Sequence, residues 1–315
     1  MRAIIGTDPE EAARRLSAGQ LVALPTETVY GLGGNALNAT AVGNIFSAKN
    51  RPSFDPLILH QSTPDRVLAY ADSVPDEAQQ LAGACWPGPL TLVLPRAAAI
   101  PDLVTSGLDT VALRVPAHPL IREVLDRVDF PVAAPSANPF GYVSPVTAAH
   151  VADQLGDRID YILDGGPCRV GLESTIVAFP RGEPTVLRKG GTAVEDIESV
   201  LGRAVAVRTV SSSRPAAPGM LVSHYSPGIA LRVVDRAGER GTPDHAVVRF
   251  GGGTETRGPH DYDLSARGDL DEAARNLFTV LRQLATGGYG SATVELVPEH
   301  GLGRAINDRL RRASK

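Results

Sequence analysis

Short apolar runs, each cut off by Pro, Gly or Asp, recur along the first two thirds of the chain. Leu21–Leu24, Leu57–Leu59, Leu90–Leu94, Thr110–Val115, Pro131–Ala134, Tyr161–Leu163 and Thr175–Phe179 are of strand length, bounded by breakers and rich in Val, Ile and Leu. Between them, residues 76–84, 120–128 and 147–155 read as helices. Asn38 is placed to cap a helix through Ile45 and Phe46 that ends near Lys49. Thr7 and Glu10 stand at capping-box spacing ahead of Ala12–Leu16, which predicts a first helix there. Strands and helices mix without a regular βαβ alternation, so the pattern predicts an α+β sheet domain.

The pattern breaks at residues 210–218, a Ser/Pro/Ala-rich tract with no core periodicity. Beyond it, Ile229–Val234, Ala246–Phe250 and Ala292–Val297 read as strands, 271–285 as an amphipathic helix and 303–312 as a basic terminal helix. That order predicts a small α/β domain. The resulting division is a sheet domain over 1–205, a linker over 206–228 with the position of an active-site lid, and a C-terminal domain over 229–315.

Composition agrees with this division and narrows the function. The chain has 315 residues, 43% hydrophobic and 21% charged, enough for a sizeable core and for two domains. A net charge of −4 disfavours a general nucleic-acid coat, so any RNA contact is expected to be weak and local. Cys85 and Cys168 have no CxxC partner, which argues against a disulfide framework and fits a reducing compartment. No apolar run approaches the length of a signal-peptide core or a membrane span. A cytoplasmic protein without membrane contact is the expectation.

Candidate chemistry gathers at strand ends. Pro25 to Gly33 (PTETVYGLG) sets hydroxyls, a carboxylate and glycines just beyond a strand, either as a turn or as a holder for a small polar ligand. Lys49 and Arg51, fixed by Pro52, suit a polyphosphate, Lys as a point charge and Arg as a planar fork. Lys49 alone is also explained by the carbonyls of a helix C-terminus. His60 closes an apolar strand and reads as a satisfied structural residue at least as readily as a functional one. Arg114 interrupts a strand, where a core-facing cation needs either an internal carboxylate or a bound one. Ser136 and Asn138 form a second polar loop after a strand, either a turn or a contact for base, ribose or phosphate. Ser174-Thr175 and the basic, glycine-flanked Arg188–Gly191 complete the set. Together they describe a cleft for an anionic ligand.

PTETVYGLG, KNRPSFDPLILH, WPGPLTLVL, TVALRVPAHPL, PVAAPSAN and GLESTIV, in this order, resemble the YrdC-domain family. GMLVSHYSP and GLGRAINDRL resemble the tail of its long, two-domain form. The resemblance implies a twisted mixed-sheet domain with a concave, positively charged cleft, and a small Rossmann-like α/β domain after it. The implied activity is that of a nucleotidyltransferase. It joins L-threonine, bicarbonate and ATP, with Mg²⁺ on the ATP phosphates, into threonylcarbamoyl-AMP and pyrophosphate. Partner proteins then pass the threonylcarbamoyl group to a tRNA adenosine beside the anticodon.

By the same resemblance, threonine is held by Thr28, His60, Arg114 and Ser174 with the backbone at Ala134. ATP is held by Arg51, Asp55, Thr110, Ser136, Asn138, Ser144, Arg188 and, from the linker, Tyr225. Lys49 and Arg51 carry the charge stabilisation that catalysis needs. Two positions depart from the family pattern: Asp55 stands where many members have Asn, so an acid would face phosphate or act through a metal, and Ser223 stands where Arg often precedes His-Tyr. The alternatives are an RNA-binding module and a carbamoyl- or acyl-phosphate processing enzyme.

Overall fold

The computed structural model describes residues 3–208, 224–252 and 258–315. Ser223 and most of the linker, including the tract at 210–218, lie outside them. Eleven described strands form one mixed sheet, in the order Ile4–Gly6, Tyr161–Leu163, Val22–Leu24, Gly31–Asn35, Val132–Ala133, Ile58–His60, Thr110–Arg114, Leu90–Pro95, Thr175–Ala178, Thr185–Arg188 and Ala206–Val207. The last of these pairs in parallel with Thr185–Arg188, so the sheet runs two residues into the segment expected to be linker. The second sheet has four described strands, all parallel, in the order Ala230–Val234, Ser291–Glu295, His245–Phe250 and Asp261–Ser265. Helices Leu270–Thr286 and Gly303–Ala313 pack against it, as a small α/β domain requires.

Local chemistry explains several element boundaries. Asn38 caps helix Ala39–Lys49, its side chain accepting from the amides of Thr40 and Ala41, and Asn50 closes it in the left-handed conformation. The first helix, Pro9–Ser17, is capped by Asp8 rather than Thr7: the Asp8 carboxylate takes the Glu10 amide, and Pro9 supplies the pre-set first turn. Gly31–Asn35 is a buried strand where glycines suggest a turn. Its antiparallel neighbours crowd it closely: a β-carbon at Gly33 would lie 2.7 Å from a Leu24 methyl and 3.2 Å from one of Val132.

The two domains are not separate bodies on a tether. The main apolar cluster runs from Leu32 and Leu59 through Val143 and Tyr225 to Leu277, Phe278 and Leu310. Gly171, at φ +78°, lies where a β-carbon would come within 2.5 Å of the backbone of Ala274 and Arg275. Only glycine combines that conformation with that approach. The C-terminal domain is thereby seated on the loop leading to Glu173 and Ser174.

Candidate active site

The site begins with sheet register. Strands Ile58–His60 and Thr110–Arg114 run in parallel, and His60 and Arg114 are register partners at their C-terminal ends. Loop Pro25–Tyr30, loop Ala134–Ser136 and residues Glu173 and Ser174, just before strand Thr175–Ala178, meet around that point. The resulting cavity, about 50 Å³, is lined by Thr28, Arg51, His60, Arg114, Ala134, Ser136, Ser174, Arg188 and Tyr225, with Glu173 and His224 also in its wall.

Arg114 is 4% exposed and finds the internal carboxylate that a strand cation needs. Its Nη2 donates to Glu27 Oε1 at 2.6 Å, and its Nε donates to the Gly88 carbonyl at 3.2 Å. Glu27 also accepts the Ala117 amide at 3.0 Å. Burial opposes the Glu27 charge, but Arg114 outweighs it and holds the carboxyl below its ordinary range. A cation is thus held rigid in the wall with its charge largely offset. Burial, aided by the Arg114 charge, pulls the His60 imidazole down to about 3, so His60 is neutral at physiological pH. Its Nδ1 is buried with no hydrogen-bond partner among the described residues, which leaves it able to meet a polar ligand.

Hydroxyls complete this end. Thr26 Oγ1 accepts the amides of Thr28 and Val29 and lies 2.7 Å from Thr28 Oγ1. Ser174 Oγ lies 2.7 Å from Thr91 Oγ1 and accepts from Arg188 Nη2 at 3.0 Å. Arg188 also gives Nε and Nη2 to the Ser174 carbonyl. Gly190 permits this close packing, since a β-carbon there would strike the Ser174 backbone at 2.5 Å.

Arg51 faces the cavity while bonded to its own loop. Its Nη2 lies 2.9 Å from Asp55 Oδ2 and donates to the Pro56 carbonyl at 2.8 Å. Asp55 is therefore the counter-ion of Arg51, and its Oδ1 is buried without a hydrogen-bond partner among the described residues.

Several residues placed by resemblance lie off the cavity wall. Lys49, 1% exposed, donates its ammonium to the carbonyls of Ser136 and Asn138. It ties its own helix to the second loop, and it is not satisfying its own helix terminus. Burial, then the nearby Arg51, pushes it well below its ordinary value, against the pull of Asp55. Asn138 is a brace too: its amide donates to the Pro139 and Tyr142 carbonyls. Ser144 is fully buried, donating to Glu173 Oε1 at 2.6 Å. Thr110 sits at the far end of the Arg114 strand, roughly 13 Å away at strand rise. It lines a separate, mainly apolar hollow with Val93, Ala178 and Leu187. Lys49→Met is expected to lower the unfolding midpoint by several degrees in a thermal melt. Each orphaned buried carbonyl costs about 1–3 kcal/mol.

Sequence reasoning missed Glu27 as the Arg114 partner, and it missed Glu173, His224 and Arg309. A strand arginine demanded a carboxylate, and Glu27 is the acid among the hydroxyls of its loop. Arg309 follows Ile306 by three positions and precedes Leu310, which places a charge inside the apolar stripe of its helix.

A mixed sheet with an arginine-lined cavity at its strand ends, followed by a small parallel-sheet domain, defines an α/β protein of the YrdC class. A family model described as "Telomere recombination", spanning Sua5, YciO and YrdC proteins, matches residues 14–190. A second, described as "Threonylcarbamoyl-AMP synthase, C-terminal domain", matches residues 192–315. The chain is 42% identical to the threonylcarbamoyl-AMP synthase of Pyrococcus abyssi, over 96% of this chain and 93% of that one. It is 38% identical to that of Bacillus subtilis, over 98% and 93%. The crystal structure of P. abyssi Sua5 complexed with L-threonine superposes with a TM-score of 0.90 at 38% identity, covering 100% of this chain and 98% of that one. The chain belongs to the Sua5/YrdC family, in its two-domain form.

Proposed function

We propose that the protein joins L-threonine, bicarbonate and ATP into threonylcarbamoyl-AMP and pyrophosphate. The observation that carries this reading is the pairing of Arg114 and His60 in register beside Thr28 and Ser174. This gives a small polar pocket with a fixed cation for a carboxylate and a neutral imidazole and hydroxyls for an amine and a hydroxyl. From that pocket one face of the sheet continues through Ile58, Ala112, Val93 and Ile176, an apolar strip ending near Thr110 and Leu187. An amino acid at the polar end and a nucleotide along the strip fit that division.

In this reading Arg114 clamps the threonine carboxylate, while Thr28, His60, Ser174 and the Ala134 backbone position the amine and hydroxyl. The amine lone pair attacks CO2 derived from bicarbonate, and its proton passes to solvent. A carbamate oxygen then attacks the α-phosphorus and the bond to the pyrophosphate oxygen breaks. Arg51, Arg188 and Ser136 stabilise the charge moving onto pyrophosphate, with Mg²⁺ arriving on the ATP phosphates. Lys49 and Asn138 hold the Ser136 loop in place, and Ser144 acts through Glu173. The cavity has room for only a few waters, so a nucleotide enters as His224 and Tyr225 withdraw from its wall. Downstream, a transfer protein takes the mixed anhydride to tRNA in the cytoplasm.

Incubation with ATP, Mg²⁺, bicarbonate and single amino acids tests the reading. Pyrophosphate release that requires threonine and bicarbonate together is expected. Release independent of either one sinks the assignment.

A further inference from the structure

We propose that the C-terminal domain supplies two positioning residues, Arg309 and Arg282, that set the Ser144–Glu173 edge of the cavity for nucleotide. The proposal rests on the proposed function, in which Arg51, Arg188 and Ser136 meet the ATP phosphates in the same cavity wall as Glu173.

Arg309, from helix Gly303–Ala313, is fully buried. Its Nε lies 3.1 Å from Glu173 Oε2, and its Nη1 lies 2.8 Å from Asp308. The other Glu173 oxygen accepts the Ser144 hydroxyl. Arg282, from helix Leu270–Thr286, reaches the same point from the other side: its Nη2 donates to the Val143 carbonyl at 2.5 Å and its Nε to the Ser144 carbonyl at 3.3 Å. Its guanidinium sits over the Tyr142 ring, 5.5 Å from the centroid. Two arginines from two helices of one domain therefore fix the main chain of Ser144 and the acceptor of its hydroxyl in the other.

Arg309 also lies against Tyr225, its guanidinium 5.2 Å from the ring centroid, with Arg312 at 5.4 Å and Phe278 stacked at 5.6 Å. The ion pair that orients Glu173 thus packs on the linker tyrosine in the cavity wall.

Packing alone is a poor reason for this arrangement. Burial works against the Glu173 charge, yet Arg309 and Arg188 hold its carboxyl down at about 2. Arg309 Nη2 is buried with no hydrogen-bond partner among the described residues. An apolar pair of the same volume avoids both desolvation costs. What it cannot do is hold a carboxylate at a fixed point in the cavity wall.

The test compares full-length wild type, Arg309→Met, Arg309→Lys, Glu173→Gln and the double variant Arg309→Met/Glu173→Gln. ATP and threonine binding are measured separately by calorimetry, together with KM values and thermal midpoints. Arg309→Met is expected to weaken ATP binding at least tenfold while threonine binding stays within twofold. Arg309→Lys is expected to restore part of the ATP affinity. The double variant is expected to be no worse than the weaker single one, because Arg309 acts through Glu173. Equal losses for ATP and threonine, multiplied losses in the double variant, or a lowered midpoint with unchanged ATP binding each overturn the proposal. Wild type that binds ATP but releases no pyrophosphate with threonine overturns the substrate reading alone.

Discussion

Arg114→Met is expected to lower threonine-dependent pyrophosphate release at least about a hundredfold, the equivalent of about 2.7 kcal/mol of transition-state stabilisation. The substitution removes the cation offered to the amino-acid carboxylate and deprives Glu27 of the partner that keeps it ionised in a buried place. Unpairing such a site typically costs about 3–5 kcal/mol of folding stability, so the melt must be read beside the kinetics. Glu27→Gln separates the two effects. It keeps an acceptor for Arg114 and leaves the cation uncompensated, so threonine affinity is expected to hold or rise although stability falls by a comparable amount. Threonine affinity within threefold of wild type in a folded Arg114→Met protein would falsify the clamp.

The acid limb of the pH profile follows from the same corner. His60 is already neutral above about 3, held so by burial and then by Arg114. Its ionisation therefore cannot produce a fall in turnover between pH 8 and pH 6. That fall is expected to follow the threonine amine, which must lose a proton before it attacks CO2. A rate profile whose acid limb disappears in His60→Gln would assign the titration to His60 instead.

How much of this was legible in the sequence depends on whether a residue's partner is local. Strand ends, the Asn38 cap and the helix boundaries follow from neighbours a few positions away, and these were readable. The Asp8 cap was misread by one position because Thr7 and Asp8 are both capping residues, and only Asp8 has the proline-started turn after it. Strand Gly31–Asn35 was hidden because its glycines serve packing against Leu24 and Val132, not a turn. Cations were legible as a class and not by role. Lys49 and Arg51 look equivalent two positions apart, yet one is spent on Ser136 and Asn138 carbonyls and the other faces the cavity. Arg309 could not be tied to Glu173, because that ion pair spans 136 positions and depends on how the second domain is seated.

Arg51→Met is expected to reduce ATP-dependent turnover at least tenfold, about 1.4 kcal/mol, with threonine binding little changed. The more discriminating experiment concerns its counter-ion. Asp55 holds Arg51 Nη2 at 2.9 Å in a pair whose side chains are 5% and 2% exposed. A phosphate that takes Arg51 must therefore displace a carboxylate and then sit near its negative charge. Burial raises the Asp55 carboxyl, and Arg51 pulls it back, so the acid sits in a balance that an arriving phosphate disturbs. Asp55→Asn keeps the shape and removes the competing charge, and it is expected to lower the KM for ATP about threefold or more at fixed Mg²⁺. If Asp55 instead ligates the Mg²⁺ carried by ATP, the same substitution raises both the ATP KM and the Mg²⁺ concentration at half-saturation. Titrating Mg²⁺ at two ATP concentrations separates the cases, since a lost competitor and a lost metal ligand shift the half-saturation point in opposite directions.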